Sequence, residues 1–485
     1  MKLALVFNPF SYQPHEENLR VVQRYFGTFP PLSLAWVAAI AEKHGHEVRI
    51  IDARTLGLSP EETVGLLKDY QPDIVGFTVT IYAYPETLSW IRHVKKEMGC
   101  PVIVGGFGVG LYPTEVMASP DIDFGFVGHV HDSLPMFLKE WGGDQRYSMI
   151  PGLMYRENGE LKQGPLSPPR FDFNVLPIPA RHLLPNDLYA SFPTQRKNFT
   201  VMVTSLGCPF ECVFCANSKT PFSARSPRLV LQELEECYHT HHVREVDFFD
   251  YDLATNRQNL MEMCRGIVQK GLDISWACRA RVTLVDEELL HTMQQAGCYR
   301  IYYGIESGVQ SILDQIRKGI SLDQIRKAVS MTKRAGIDTL GYFMVGNIGE
   351  TRETVRQSVR FAKSLGLDYV QFSKMTAKPA TKIYADYVRD TGHDYWRDYV
   401  LGKTEAKALP HPWTALTQEE IDQLTKWAYV SFHSRFGYLV RNVLKIRSWG
   451  EFKRKVKAYL EMLITREDSS DEKKPFDIYR DARGR

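Results

Sequence analysis

Short apolar runs alternate with segments of helical period along most of this chain. In the first 145 residues, positions 2–7, 47–51, 73–80, 101–104 and 124–127 predict strands. Positions 32–43, 60–70, 85–98 and 133–141 predict helices, with Ser59 as a ready N-cap. Strands that read as continuous apolar runs are buried on both faces, so this alternation predicts a doubly wound, Rossmann-like α/β domain over residues 1–145. Residues 146–198 are proline-rich (Pro165, Pro168, Pro169, Pro177, Pro179, Pro185, Pro193) and read as an extended linker. A second alternation follows. Strands at 199–204, 245–249, 274–278, 300–304, 339–345 and 369–373 are separated by helical segments, which predicts a partial (β/α)6 barrel over 199–376. Residues 377–466 predict a mainly helical extension, rich in Tyr and Trp, and the polar stretch 467–485 reads as a disordered tail.

Composition narrows the function classes. The chain has 485 residues, 44% hydrophobic and 24% charged, with a net charge of +3. Those values suit an ordinary globular protein, and they give no electrostatic reason to expect a nucleic-acid partner. No apolar run reaches the roughly 18 residues of a membrane-spanning helix. The basic positions between Arg441 and Lys457 admit peripheral contact with an anionic membrane, or a solvated face over a packed core. Eight cysteines without a disulfide-like pattern or a secretory leader predict a reducing, cytoplasmic setting.

Three of those cysteines, Cys208, Cys212 and Cys215, lie within eight residues. Soft thiolates select zinc, copper or iron–sulfur clusters. A structural zinc site would want a second ligand pair, which the neighbouring sequence lacks. A cubane cluster ordinarily takes four thiolates, and three leave one iron open for chemistry. The spacing Cys-x3-Cys-x2-Cys, with Phe214 just before the last cysteine, resembles the cluster loop of radical S-adenosylmethionine (SAM) enzymes. The resemblance implies a 4Fe-4S cluster held by Cys208, Cys212 and Cys215, which cleaves SAM to a 5′-deoxyadenosyl radical. Further motifs fall at strand ends. Asp250-Tyr251-Asp252 offers acceptors for the SAM ammonium, or a solvated turn. Arg279 and Arg281 suit a carboxylate, or an ion pair with that acidic turn. Gly304-Ile-Glu-Ser-Gly308 resembles the family's Gly-Ile-Glu-Ser motif, which points to Glu306 and Ser307. Gly346-Asn-Ile-Gly-Glu-Thr351 resembles Gly-x-Pro-Gly-Glu-Thr with Ile348 in place of proline, and implies an adenine close to Gly346 or a helix cap at Glu350. The SAM-binding set implied is thus Phe214, Asp250, Asp252, Arg279, Glu306, Ser307 and Gly346.

Ahead of such a core, the first domain is similar to a cobalamin-binding domain. The implied corrinoid contacts are the strand ends Asn8, Thr78, Thr80, Gly105, Gly106, Gly128 and His129. The Asp-x-His-x-x-Gly motif that supplies a lower axial histidine is absent, and Gly128-His-Val-His131 stands where relatives carry Gly-Glu-x-Glu. Together the motifs imply a cobalamin-dependent radical SAM enzyme that methylates an unactivated carbon under anaerobic conditions. A cyclase or ring-rearranging enzyme is the alternative, and a corrinoid-binding or redox-sensing iron–sulfur protein is the alternative outside catalysis. The expected partners are a small-molecule substrate, flat or hydrophobic to match the aromatic extension, and an electron donor such as flavodoxin or ferredoxin.

Overall fold

The computed structural model describes residues 1–10, 27–167, 172–191, 194, 196, 198–405, 411–435 and 438. The first domain is built on a seven-stranded sheet: β1 (Lys2–Val6), β2 (Glu47–Ile51), β3 (Ile74–Thr78), β4 (Val102–Gly105), β5 (Phe124–Phe126), β6 (Leu153–Glu157) and β7 (Glu160–Gln163), in the order β2-β1-β3-β4-β5-β6-β7. The first five strands are parallel. Helices α1 (Leu32–Lys43), α2 (Pro60–Tyr70), α3 (Tyr84–Met98) and α4 (Ser133–Trp141) alternate with them in the chain. Ser59 caps α2 in a reciprocal capping box with Glu62. The chain passes from β1 to β2 on one side and then crosses to β3 on the other. That reversal leaves a crevice at the carboxyl ends of β1 and β3, where ligands of doubly wound sheets bind.

The stretch expected to be a linker departs from that expectation. β6 and β7 extend the sheet as an antiparallel hairpin. Its turn is Asn158-Gly159, both at positive φ (52° and 83°). An Asn-Gly pair suits the two-residue hairpin turn whose twist matches the strands, and the prolines around it mask the signal. Farther on, Arg181 is buried and donates to Thr200, to the Val201 carbonyl and to Glu233, so this segment is anchored into the barrel.

The second sheet has six parallel strands in chain order: β8 (Phe199–Met202), β9 (Glu245–Phe248), β10 (Ser275–Ala280), β11 (Cys298–Glu306), β12 (Asp338–Val345) and β13 (Tyr369–Lys374). Helices α5 (Pro227–His239), α6 (Arg257–Gln269), α7 (Glu287–Gln295), α8 (Leu322–Arg334) and α9 (Arg352–Ser364) connect them. This is the expected partial barrel. Two strands are longer than the sequence suggests: β10 contains Arg279 and β11 runs through Glu306. Both residues therefore belong to the strands themselves rather than to the loops after them.

The extension contains α10 (Lys382–Thr391), α11 (Tyr395–Val400) and α12 (Gln418–His433). Helix α12 seats Ile421, Ala428 and Phe432 in the barrel core. Helices α10 and α11 instead join the core of the first domain, where Tyr384, Trp396 and Tyr399 share one apolar cluster with Val6, Phe77 and Trp90. Tyr112 of the first domain and Tyr384 both donate to Asp394, at 2.9 and 2.7 Å. Arg397 pairs with Glu115 at 2.7 Å. Tyr384 and Trp396, two of the aromatic residues of the extension expected to shape a substrate pocket, are core residues that fasten the two domains together. The expectations for positions 441–457 and for the tail 467–485 lie outside the described residues. Among the described residues, no helix is long and apolar enough to cross a membrane.

Candidate active site at the carboxyl ends of the barrel strands

Strand β8 leads into a two-stranded antiparallel ribbon, Ser205–Cys208 against Thr220–Ala224, and the cysteine loop forms its tip. Gly207 has φ 81°, and a Cβ there would stand 2.0 Å from the Pro221 carbonyl oxygen. Only glycine permits that crossing. The loop is braced from within: the Cys208 amide donates to Thr220 Oγ1 at 3.0 Å, and the Lys219 amide donates to the Phe210 carbonyl at 2.9 Å. It is also held from outside, because the Val213 amide donates to the Ile316 carbonyl at 3.1 Å.

Cys212 is buried, Cys208 and Cys215 are half-buried, and all three thiols are free. Burial pushes the thiols of Cys208 and Cys215 up, and the neighbouring cysteines add to the effect. A thiolate trio there therefore needs cationic partners, which is the condition a metal cluster meets. Among the described residues, no three His, Cys, Asp or Glu side chains close around a single ion. In a cubane each thiolate binds its own iron, so the three need not converge on one point. Donor type and spacing fit an iron–sulfur cluster with one open corner.

The acidic turn after β9 divides its work. Asp250 is buried and accepts from the Thr204 amide and hydroxyl and from Ser205 Oγ, the last two at 2.8 and 2.6 Å. It fixes the base of the ribbon. This replaces the expectation that it receives the SAM ammonium, because its strongest acceptor position faces the chain. Asp252 accepts from the amides of Ala254 and Arg281, each at 3.0 Å, and burial raises its carboxyl to about 6. It lies close enough to Cys208 to influence that thiol. Arg279 points into the barrel, where it pairs with Asp247 and lies over the rings of Phe249 and Tyr302 at 4.3 and 4.7 Å. The ion-pair alternative thus holds for Arg279, but with Asp247 on β9 rather than with the acidic turn. Arg281 covers the Phe210 ring of the cysteine loop at 4.1 Å.

Glu306 ends β11 with φ 68° and pairs with Lys318 at 2.9 Å. A non-glycine residue in that conformation is held by its surroundings, and such positions cluster at functional sites. Ser307 is a correction. Its hydroxyl contacts Ser358 Oγ at 3.1 Å on α9 and accepts from the Val309 amide, so it secures the following loop rather than facing a ligand. Gly346 is a second correction: the space above it is taken by Ile421, and Trp413 Nε1 donates to its carbonyl at 3.1 Å. The extension thus covers Gly346 on the face where a side chain would stand. Phe214, in contrast, lies partly buried between the barrel core and the core shared by the first domain and the extension. Sequence reasoning missed Lys318, because a lone lysine reads as solvated surface.

Glu350 accepts from the amides of Gly346 and Asn347 at 2.6 and 3.0 Å, while its Oε1 and the nearby Asn347 Oδ1 are buried without a protein partner. Burial raises its carboxyl from 4.5 to about 7. The folded state holds that proton more tightly than the unfolded chain does. The associated stability is therefore complete below the ordinary value and is lost as pH rises through about 7. Urea midpoints measured at about pH 5 and about pH 8 should fall for the native chain and fall less for Glu350→Gln.

In the first domain the expected residues gather at the carboxyl edge of the sheet. The space around Gly105 is open, whereas a Cβ on Gly106 (φ 104°) would stand 2.9 Å from Thr78 Oγ1 and from the Val79 carbonyl. Thr78 and Thr80 are half-exposed beside this cradle. The open approach at Gly105 fits a bulky corrinoid. Asn8 is buried at the end of β1 and its amide donates to the Pro9 carbonyl and Thr87 Oγ1, so it ties β1 to α3. Gly128 (φ 91°) faces Ser167, and His129 is exposed with its ring 6.3 Å from that of His131.

Comparison with known proteins agrees with this architecture. The sequence profile of the radical SAM superfamily matches residues 202–362, and that of the B12 binding domain matches residues 20–138. A protein of Pyrococcus horikoshii described as the uncharacterized methyltransferase PH0819 is 32% identical over 456 residues, covering 92% of this chain and 95% of that one. The anaerobic magnesium-protoporphyrin IX monomethyl ester cyclase of Rubrivivax gelatinosus is 27% identical over 373 residues, covering 74% of this chain and 66% of that one. Among solved structures, the radical SAM methyltransferase TsrM from Kitasatospora setae, with cobalamin and a [4Fe-4S] cluster bound, shares the fold with TM-score 0.64 at 18% identity, over 80% of this chain and 78% of that one. With its cysteine trio, its two-domain build and a full-length relative at this identity, the chain belongs to the cobalamin-binding radical SAM family.

Proposed function

We propose that this protein is a methyltransferase that uses 4Fe-4S, SAM and cobalamin to methylate an unactivated carbon of a small molecule. One observation supports this reading above the others: Phe214 of the cysteine loop sits between the barrel core and the core that joins the first domain to the extension. A cluster at the barrel mouth and a corrinoid at the sheet edge then belong to one body. An inert carbon offers no handle for acid–base chemistry, so the cofactors carry the reactive step: when bound, the cluster supplies the electron that cleaves SAM and the corrinoid carries the methyl group. The protein's task is orientation and exclusion of water. Cys208, Cys212 and Cys215 would hold the cluster, Asp250 and Gly207 shape their ribbon, Asp252 ties the acidic turn to the backbone after β10, and Glu306 would offer a carboxylate to SAM. Gly105, Gly106 and Thr78 shape the corrinoid cradle. The electron comes from an external donor such as flavodoxin or ferredoxin. An oxidative cyclase is the second reading, favoured by the relative of that activity.

Products separate the two. Anaerobically reconstituted enzyme with SAM, cobalamin, a reductant and candidate substrates should yield both 5′-deoxyadenosine and S-adenosylhomocysteine. Deoxyadenosine without S-adenosylhomocysteine would favour the cyclase. Gly105→Leu sharpens the test, because Gly105 has open space around it and the variant should fold. It should bind cobalamin at least about tenfold more weakly, a loss of about 1.4 kcal/mol, and keep its iron. Unchanged cobalamin affinity would remove Gly105 from the cradle.

A further inference from the structure

Lys318 lies in the turn before α8, and only 8% of it is exposed. Lysine is almost never this buried unless it is paired. Its ammonium meets a carboxylate and an aromatic ring. Glu306 Oε1 is 2.9 Å away, and the Phe214 ring of the cysteine loop lies 5.7 Å away. The fold makes room for it: a Cβ on Gly304 would meet Lys318 Nζ at 2.8 Å and Glu306 Oε1 at 2.6 Å. The backbone fixes its distance from the cysteines, because the Val213 amide donates to the Ile316 carbonyl at 3.1 Å, two residues before Lys318. Lys318 is also near enough to interact with Cys212 and Cys215. Arg281 lies beside it, since a Cβ on Gly319 would meet Arg281 Nη2 at 3.2 Å, and it covers Phe210 of the same loop at 4.1 Å.

Two cations carried on different β/α units thus stand together against the cysteine loop. One of them, Lys318, is buried with a single carboxylate partner. A simple ion pair would not need a seat against the cluster loop. A cluster carrying three thiolates is anionic, and it gains a further negative charge on one-electron reduction. Net charge and local dipoles are among the levers that set such potentials.

Resting on the cluster reading above, we infer that Lys318 is the fixed counter-charge of the cluster, a positioning residue that raises its reduction potential and that Glu306 partly neutralises. It touches no reacting atom. Removing the ammonium should make the cluster harder to reduce, and removing only the Glu306 charge should make it easier. A purely structural role predicts no such opposition of sign.

The test uses the full chain, reconstituted anaerobically with iron and sulfide, with no SAM or substrate present. Iron content is measured first. The midpoint potential is then followed by the EPR signal of the reduced cluster during a dye-mediated dithionite titration. Lys318→Met should retain its cluster, and at the wild-type midpoint the ratio of reduced to oxidised cluster should fall about tenfold, equivalent to about 59 mV for a one-electron couple. Lys318→Arg should restore the wild-type potential. Glu306→Gln should shift it upward. If Lys318→Met cannot hold iron, the upward shift of Glu306→Gln decides the matter. An unchanged potential in cluster-loaded Lys318→Met, or an unchanged or lowered one in Glu306→Gln, overturns the proposal. A native chain that takes up no iron would instead overturn the cluster reading, a distinct failure.

Discussion

Cys212→Ala is expected to abolish the iron–sulfur cluster and all SAM cleavage. The residue is buried, whereas Cys208 and Cys215 are half-buried on either side of it, so its loss leaves two thiolates that a cubane cannot use without replacing a ligand. Iron per chain should drop from about four toward background, and the broad visible absorption of thiolate-bound iron should vanish with it. Cys100→Ala is the control. Cys100 lies in the first domain, just before β4, and that variant should keep its full iron content. A Cys212→Ala chain with native iron and activity would show that the cluster is held elsewhere. Folding should be little affected, because the ribbon is fastened by Gly207, Asp250 and the Val213–Ile316 bond rather than by the thiols.

Much of this architecture was legible in the sequence because parallel α/β folds announce themselves by period. Apolar runs separated by amphipathic helices gave both sheets, and the cysteine spacing marked the cluster loop. The failures share a physical cause: a residue type does not reveal which side of an element it faces. Asp250 and Asp252 sit two apart after the same strand, yet the first turns back to Thr204 and Ser205 while the second caps the next turn. Ser307 belongs to a recognisable motif, but its hydroxyl meets Ser358, which is distant in sequence. The aromatic residues of α10 and α11 suit a substrate wall as well as a core, and only the packing of Trp396 among first-domain residues decides for the core. Lys318 was invisible because burying a lysine depends on a partner twelve residues away. Asn158-Gly159 was readable as a hairpin turn, and the prolines around it drew attention to a linker instead.

The largest loss of stability is expected at Glu233. Its side chain is 2% exposed, and its two oxygens each accept from a buried arginine at 2.8 Å: Arg181 from the segment that leads out of the first domain, and Arg225 from the end of the cysteine ribbon. Both arginine side chains are 1% exposed. Two buried cations sharing one carboxylate are tolerable only while that carboxylate is present. Glu233→Ala leaves them unpaired in a low-dielectric interior, and breaking such an arrangement costs about 3–5 kcal/mol. The urea midpoint of the barrel should fall accordingly. The damage should also reach the active site, because the Arg225 amide donates to the Thr204 carbonyl at 2.8 Å and closes the base of the ribbon. Iron retention should therefore decline in Glu233→Ala as the ribbon loosens, at temperatures where Cys100→Ala is unaffected. Replacing all three members with methionine or leucine tests the cause. If unpaired charge is responsible, the triple variant should be more stable than Glu233→Ala despite losing more native bonds, since apolar substitutes for a buried triad avoid the desolvation cost. If the triple variant is less stable than the single one, the hydrogen bonds from Arg181 to Thr200 and Val201 matter more than the charges, and the triad is a structural clasp first.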